Sequence, residues 1–220
     1  MSVPSPAFTT AAWERTGAVR AAIDRLPLLL DLENGDLPHE TFRHYLTQDA
    51  HYLAGFGRAL AACGAQCGDA EEMGFWTGSA QGTVVVEQEL HARYDADPAN
   101  VPPSPTCTAY TSYLLALSAS GCYPELAAGV LPCFWIYDDV GTRLKQRVGD
   151  VDVHPYGEWI GTYGDPDFAA TTQSARDVVD SLAERADAAT LERMHTAFYR
   201  ATQYEWMFWD AAHRHETWPV

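Results

Sequence analysis

Cys133 is the residue best placed in this chain to act as a nucleophile. It lies in an apolar run that begins near Leu126, with Pro132 directly before it and Trp135 and Tyr137 just beyond. Read as a helix, the run sets Leu126, Val130, Cys133, Tyr137 and Val140 on one face at spacings of three and four. Pro132 would remove one backbone hydrogen bond and press on the carbonyl of Ala128, kinking the helix beside the thiol. A free cysteine in such surroundings most often only packs. Its company decides whether it does more.

Two acids supply that company. Asp49 falls inside an apolar stripe made by Phe42, Tyr45, Leu46, Tyr52, Leu53, Phe56 and Leu60. Glu205 falls inside another, among Leu191, Met194, Phe198, Thr202, Phe208 and Trp209. An ionised carboxylate on a core face costs several kcal/mol unless something pairs with it. For Asp49 that partner is either a buried Arg or Tyr held for structure, or a polar group on a ligand. A thiol and two carboxylates on three helices, all pointing to an interior, are equipment for covalent catalysis with proton transfer. Tyr45, Tyr52, Tyr110, Tyr113, Tyr137, Tyr163 and Tyr204 are available to wall that interior. An aromatic cavity with a few convergent polar groups suits a flat heterocycle.

The elements that must carry these residues read as helices throughout. The periodicity predicts an amphipathic segment from Phe8 to about Leu32, then a turn at Asn34-Gly35 and a helix from about Pro38 to Gln66. Further helices are expected over about Ala70–Tyr94, including the Val84–Val86 run, and Ser104–Ser118. The Cys133 helix follows, to about Val148. After the polar connector GDVDVHPYGEW come a short helix from about Tyr156 to Gly164 and two more, about Asp167–Arg185 and Ala188–Arg214. Strand-like alternation is nearly absent, and no repeat or Gly/Ser linker divides the chain. The expected fold is all-α, a single-domain bundle of about eight helices over residues 1–220.

Composition narrows the function further. A net charge of −16 argues against nucleic acid, which needs a basic surface, and against anionic membrane. The N-terminus has no secretion-signal pattern, and no uncharged run approaches a membrane span. The five cysteines, Cys63, Cys67, Cys107, Cys122 and Cys133, show no framework spacing and read as reduced thiols in the cytoplasm. Cys63 and Cys67 are one helical turn apart, yet no matching His or Cys pair follows, so core thiols are expected there and no metal. His51, His91 and His195 read as hydrogen-bonded or surface histidines. The C-terminal HRHETWPV could either fray or cover a pocket mouth.

Four stretches, in order, resemble the thiaminase II (TenA) family: LENGDLPHETFRHYLTQDAHYLAGFGRAL, YTSYLLALSASG, ELAAGVLPCFWIY and YEWMFWD. QDAHYL, LPCFWIY and YEWMFW together carry the resemblance, which runs over nearly the whole chain. It implies a haem-oxygenase-like bundle, a homotetramer, no cofactor and no metal. It implies hydrolysis of the methylene–nitrogen bond of 4-amino-5-aminomethyl-2-methylpyrimidine, or of thiamin, in thiamin salvage. Residue by residue, Cys133 matches the nucleophile and Glu205 the acid/base group at a ring nitrogen. Asp49 matches the carboxylate that holds the exocyclic amine, and Tyr52, Tyr113, Tyr137 and Tyr163 match pocket tyrosines. Cys133 places the chain with the cysteine-bearing branch.

Three other readings compete. A di-iron bundle needs two Glu-x-x-His pairs; Glu192 and His195 make one, but Gln88 stands where the second needs a Glu, in the Glu87–His91 segment. A cofactor-free oxidase of the same fold would not need Cys133. A pyrimidine- or thiamin-binding regulator would keep the pocket without turnover.

Overall fold

A computed structural model describes residues 7–220, and within that range the side chains of all but 84–93. The Val84–Val86 run and the Glu87, Gln88 and His91 side chains lie outside the described residues. Among the described residues every regular element is helical, in the order α1 (Phe8–Arg15), α2 (Gly17–Ile23), α3 (Pro27–Asn34), α4 (His39–Gln66) and α5 (Ala70–Arg93). Then follow α6 (Pro105–Ala119), α7 (Tyr123–Arg147), a 3-10 turn at Val151–Val153, α8 (Gly157–Tyr163), α9 (Pro166–Glu184) and α10 (Ala188–His213).

The N-terminal segment departs from the expected single helix. It is broken after Arg15, and again before Pro27, which opens α3. Proline cannot supply the N–H that a continuing helix needs, but its fixed φ suits a first turn. α3 ends on Gly35 at φ +73°, a left-handed cap that glycine adopts without strain. Later helix starts follow the capping chemistry of their sequences. Asp69 accepts hydrogen bonds from the N–H of Glu71 and Glu72, Ser104 from Cys107, Asp165 from Asp167 and Asp187 from Thr190.

α7 is the axis of the bundle. Every residue from Leu126 to Tyr137 is buried, as an apolar run with no polar face demands. Pro132 sits inside this helix without ending it. α4, α6, α8, α9 and α10 all pack against α7, while α5 lies along α4. On the outer side of α7, Trp13 stacks on Trp135 at 4.0 Å and 16°. Arg20 covers the free face of Trp13 at 3.6 Å and Arg176 that of Trp135 at 4.1 Å. This four-layer stack ties α1 and α2 to α7 and α9 through cation–π and ring contacts.

Two further contacts position the site. At Gly141 a Cβ would collide with the backbone of Tyr163, so glycine is what lets α8 press onto α7. Lys145 then donates to the Gly164 carbonyl at 3.0 Å. The C-terminal tail lies along the starts of α4 and α6. Thr41 and His215 share a hydrogen bond at 3.0 Å, the Thr106 N–H donates to Glu216, and Trp218 donates to Pro103 O.

Candidate active site

Four helices bring the reactive groups together. α7 supplies Cys133 and, one turn on, Tyr137; α4 supplies Tyr45, Asp49 and Tyr52; α6 supplies Tyr110; α10 supplies Glu205. Asp49 is 2% exposed and Glu205 1%, so both acids lie in the interior, as their stripes predict. A cavity of about 560 Å³ opens beside them. Its buried end is formed by Asp49, Cys133, Tyr137 and Tyr163, with Leu53 and Phe56 beside them. Tyr137 and Tyr163 set their rings 4.7 Å apart, tilted at 54°.

Glu205 accepts a hydrogen bond from the Tyr110 hydroxyl at 2.6 Å. Burial pushes its carboxyl up, to about 8, with the Asp49 charge adding to the rise and the Tyr110 hydrogen bond opposing it. At neutral pH this is mostly a neutral carboxylic acid, able to give a proton. Burial also pushes the Cys133 thiol well up, and the charges of Glu205 and Asp49 push the same way. The Tyr52 hydroxyl works against them by favouring the thiolate. That hydroxyl is fully enclosed and short of ordinary hydrogen-bond geometry to any neighbour, so its influence on the sulfur is a proximity effect.

Tyr45 backs the lining residue Tyr137. Its hydroxyl lies 3.1 Å from that of Tyr137 and accepts from Trp159 Nε1 at 3.2 Å. Tyr137 is thereby held against Trp159 and Trp209. The sequence offers Tyr45 for the interior, but nothing in it pairs Tyr45 with Tyr137.

Of the expected site residues, Tyr52, Glu205 and Tyr113 are not part of the cavity lining; Tyr52 and Glu205 adjoin Cys133, and Tyr113 lies by Tyr204. It is half-buried, 5.5 Å from the Tyr204 ring, and burial with the Glu125 charge pushes its hydroxyl up to about 12. The tyrosine of α6 that reaches the reactive groups is Tyr110, one turn earlier. The signal was present in the phase of α6, where Cys107, Tyr110, Leu114 and Leu117 form the buried stripe and Tyr113 does not.

The remaining candidates are elsewhere. Cys63 is buried at 0% exposure and Cys67 donates weakly to backbone carbonyls, so this pair packs and caps. Glu192 is an exposed partner of Arg15 at 3.8 Å, and His195 stacks on Phe8 at 4.4 Å. Neither faces the cavity, and among the described residues no three His, Cys, Asp or Glu side chains gather as a metal site would need. His51 is hydrogen-bonded to Val101 O at 2.7 Å.

The site thus sets a buried thiol beside one raised carboxyl and a second acid, inside a helical bundle. Comparison with known proteins places the chain: residues 22–215 match the TENA/THI-4/PQQC family, and the chain belongs to that family. Aminopyrimidine aminohydrolase from Bacillus subtilis is 32% identical over 87% of this chain and 84% of its own. The thiamine biosynthesis multifunctional protein ThiED from Corynebacterium glutamicum is 36% identical over 96% of this chain, which spans only 28% of that protein. A TenA homologue from P. horikoshii OT3 superimposes with a TM-score of 0.85 at 26% identity, over 95% of this chain and 99% of that one. Haem oxygenase-1 from Synechocystis, at 14% identity and a TM-score of 0.64, shares the fold alone. The bundle is haem-oxygenase-like.

Proposed function

We infer that this protein is an aminopyrimidine aminohydrolase of the thiaminase II type. It hydrolyses the bond between the methylene carbon and nitrogen on a 4-amino-2-methylpyrimidine, in thiamin salvage. The observation that carries this reading is the meeting of Cys133, Asp49 and Glu205, from three helices, with Cys133 and Asp49 on the wall of one aromatic cavity and Glu205 buried within electrostatic reach of both. The name of the Bacillus subtilis relative supports the substrate class.

In this reading Asp49 accepts hydrogen bonds from the exocyclic amine, while Tyr137 and Tyr163 hold the ring. Glu205 gives its proton to a ring nitrogen as the Cys133 sulfur adds to a ring carbon, and the electron-poor ring becomes a better acceptor for it. Electrons then expel the nitrogen from the methylene; where that nitrogen leaves as ammonia, the thiol proton ends on it. Water gives its hydroxyl to the methylene, the departing sulfur takes the proton that water releases, and the ring nitrogen returns its proton to Glu205. Splitting one substitution into two easier steps is the logic of covalent catalysis. Tyr52 assists the sulfur. Tyr113, half-buried beside Tyr204, has a place in this scheme only as support for α6.

The chain works as one domain in a homotetramer in the cytoplasm. A groove of about 460 Å³ between α2 and α10, lined by Val19, Ala22, Trp206 and Met207, supports a partner surface. Five free thiols support a reducing compartment.

Cys133→Ser tests the reading. An alcohol is far less ionised than a thiol, so kcat should fall at least about a thousandfold while product binding persists. Activity within tenfold of wild type excludes sulfur as the nucleophile. Tight product binding by a wild-type protein that turns over no aminopyrimidine defines a binding regulator instead.

A further inference from the structure

Behind the lining residue Tyr137 stands a chain of polar groups that the reaction scheme leaves idle. Trp159 of α8 donates from Nε1 to the Tyr45 hydroxyl at 3.2 Å, and that oxygen lies 3.1 Å from the Tyr137 hydroxyl. All three side chains are buried, Tyr45 at 0% exposure. Distance alone lets either tyrosine be the donor. The count of protons does not.

An indole N–H can only donate, so Trp159 occupies one side of the Tyr45 oxygen and offers no acceptor in return. Trp209, a further neighbour of that oxygen, is also an indole, and Asp49 acts on Tyr45 through its charge alone. Burial pushes both tyrosine hydroxyls well up, so each keeps its one proton at neutral pH. Among the described residues the Tyr45 proton therefore has a single acceptor, the Tyr137 oxygen. Were Tyr137 the donor, the Tyr45 proton would be buried without a partner, which native interiors avoid. Tyr137 consequently accepts from Tyr45. Its own O–H has the cavity that it lines to point into.

We propose that Trp159 and Tyr45 are positioning residues that fix the sense of this chain, so that Tyr137 presents a hydrogen-bond donor to the ligand at the inner end of the cavity. The ligand atom it meets is an acceptor, either a ring nitrogen or an oxygen on the methylene. In its choice of ligand the assignment rests on the pyrimidine reading. Neither Trp159 nor Tyr45 is among the described lining residues, so both act through Tyr137.

Binding of 4-amino-5-hydroxymethyl-2-methylpyrimidine, followed by calorimetry on the full chain, tests this without requiring turnover. Tyr45→Phe should weaken it about three- to tenfold, the range of one ordinary hydrogen bond. In a Tyr137→Phe background the same substitution should cost nothing further, because the hydroxyl it acts through is gone. A merely structural loss would weaken binding equally in both backgrounds. Replacing Trp159 by 3-benzothienylalanine keeps the bicyclic shape and removes the N–H, which lets the Tyr45 proton turn to either side. Binding should then weaken at least about twofold, as the fraction of chains with the competent sense falls, and again not in Tyr137→Phe. Should Tyr45→Phe fail to fold, this isostere gives the same reading. The cycle repeated with 4-amino-2,5-dimethylpyrimidine, which has no oxygen, locates the acceptor: coupling retained means a ring nitrogen, coupling lost the methylene oxygen. Equal losses in the two backgrounds, or none in wild type, overturn the proposal. So does a loss in Tyr45→Phe that the isostere does not share, which leaves Tyr45 only to hold the Tyr137 ring. A wild-type protein that binds neither pyrimidine overturns the pyrimidine reading as well. Coupled binding in a protein that hydrolyses no aminopyrimidine upholds the positioning role and removes the proposed chemistry.

Discussion

At the level of single residues, the protonation state of Glu205 should bear on stability and, in the proposed chemistry, on turnover. Its carboxyl is raised to about 8 mainly by burial, so the folded chain binds a proton that the unfolded chain releases near 4.5. This raised carboxyl therefore costs nothing below pH 4.5; its penalty grows as pH rises towards 8 and then levels off. Glu205→Gln removes that penalty while keeping an acceptor for Tyr110. Melting curves should show the variant more stable than wild type at pH 8, with the gap closing towards pH 4.5. Its kcat should be at least about a hundredfold lower, as for a lost general acid. A variant that melts lower at pH 8 would show Glu205 to be a structural anchor. The hydroxyl donated by Tyr110 holds the same carboxyl down. Tyr110→Phe should shift the alkaline limb of kcat/KM to higher pH and lower turnover about three- to tenfold, the range of one ordinary hydrogen bond. Tyr113→Phe should leave both within about twofold; a loss there equal to that of Tyr110→Phe would reverse the two assignments. The sequence showed Asp49 and Glu205 through their misfit with apolar stripes, and Cys133 as a thiol beside Pro132 on the aromatic helix. It did not separate Tyr110 from Tyr113, because both have the same chemistry and only the phase of α6 tells them apart.

Among the elements, the contact between α7 and α8 is the one on which the cavity depends. Tyr163 is the last residue of α8, and it reaches the cavity because Gly141 lets that helix end touch α7. In Gly141→Ala the new Cβ meets backbone, which cannot rotate aside, so α8 must retreat. Overpacking of this kind costs about 1–3 kcal/mol or more, and each kcal/mol lowers Tm by about 2–4 °C in a chain of this size. Product affinity should fall too, because Tyr163 moves with the helix. An alanine variant with unchanged Tm and affinity would show that the contact is loose. Of the ten α-helices among the described residues, seven were readable from periodicity, with boundaries near those found, because long stripes and capping residues mark them. The N-terminal segment was not. Its apolar residues keep helical spacing across Thr16 and into Pro27, and only the caps reveal that the axis changes twice. Gly141 was equally silent, since a glycine in a helix says nothing about which backbone it must admit.

For the whole molecule, the expected assembly is directly measurable. Light scattering at micromolar concentration should give four times the 24.2 kDa of one chain, and a monomer would refute the tetramer. The net charge of −16 adds a condition. Like-charged copies repel, so any assembly should hold better at 0.15 M salt than at low ionic strength. Within each chain the Arg20–Trp13–Trp135–Arg176 stack joins the N-terminal helices to the helix that bears the thiol, with Trp135 two residues from Cys133. Two indoles held face to face at 4.0 Å do not absorb light as independent chromophores. Their coupled transitions should give the native protein a paired circular-dichroism band that vanishes when α1 peels away. The molecule thus carries its own optical gauge of N-terminal docking, with no label added.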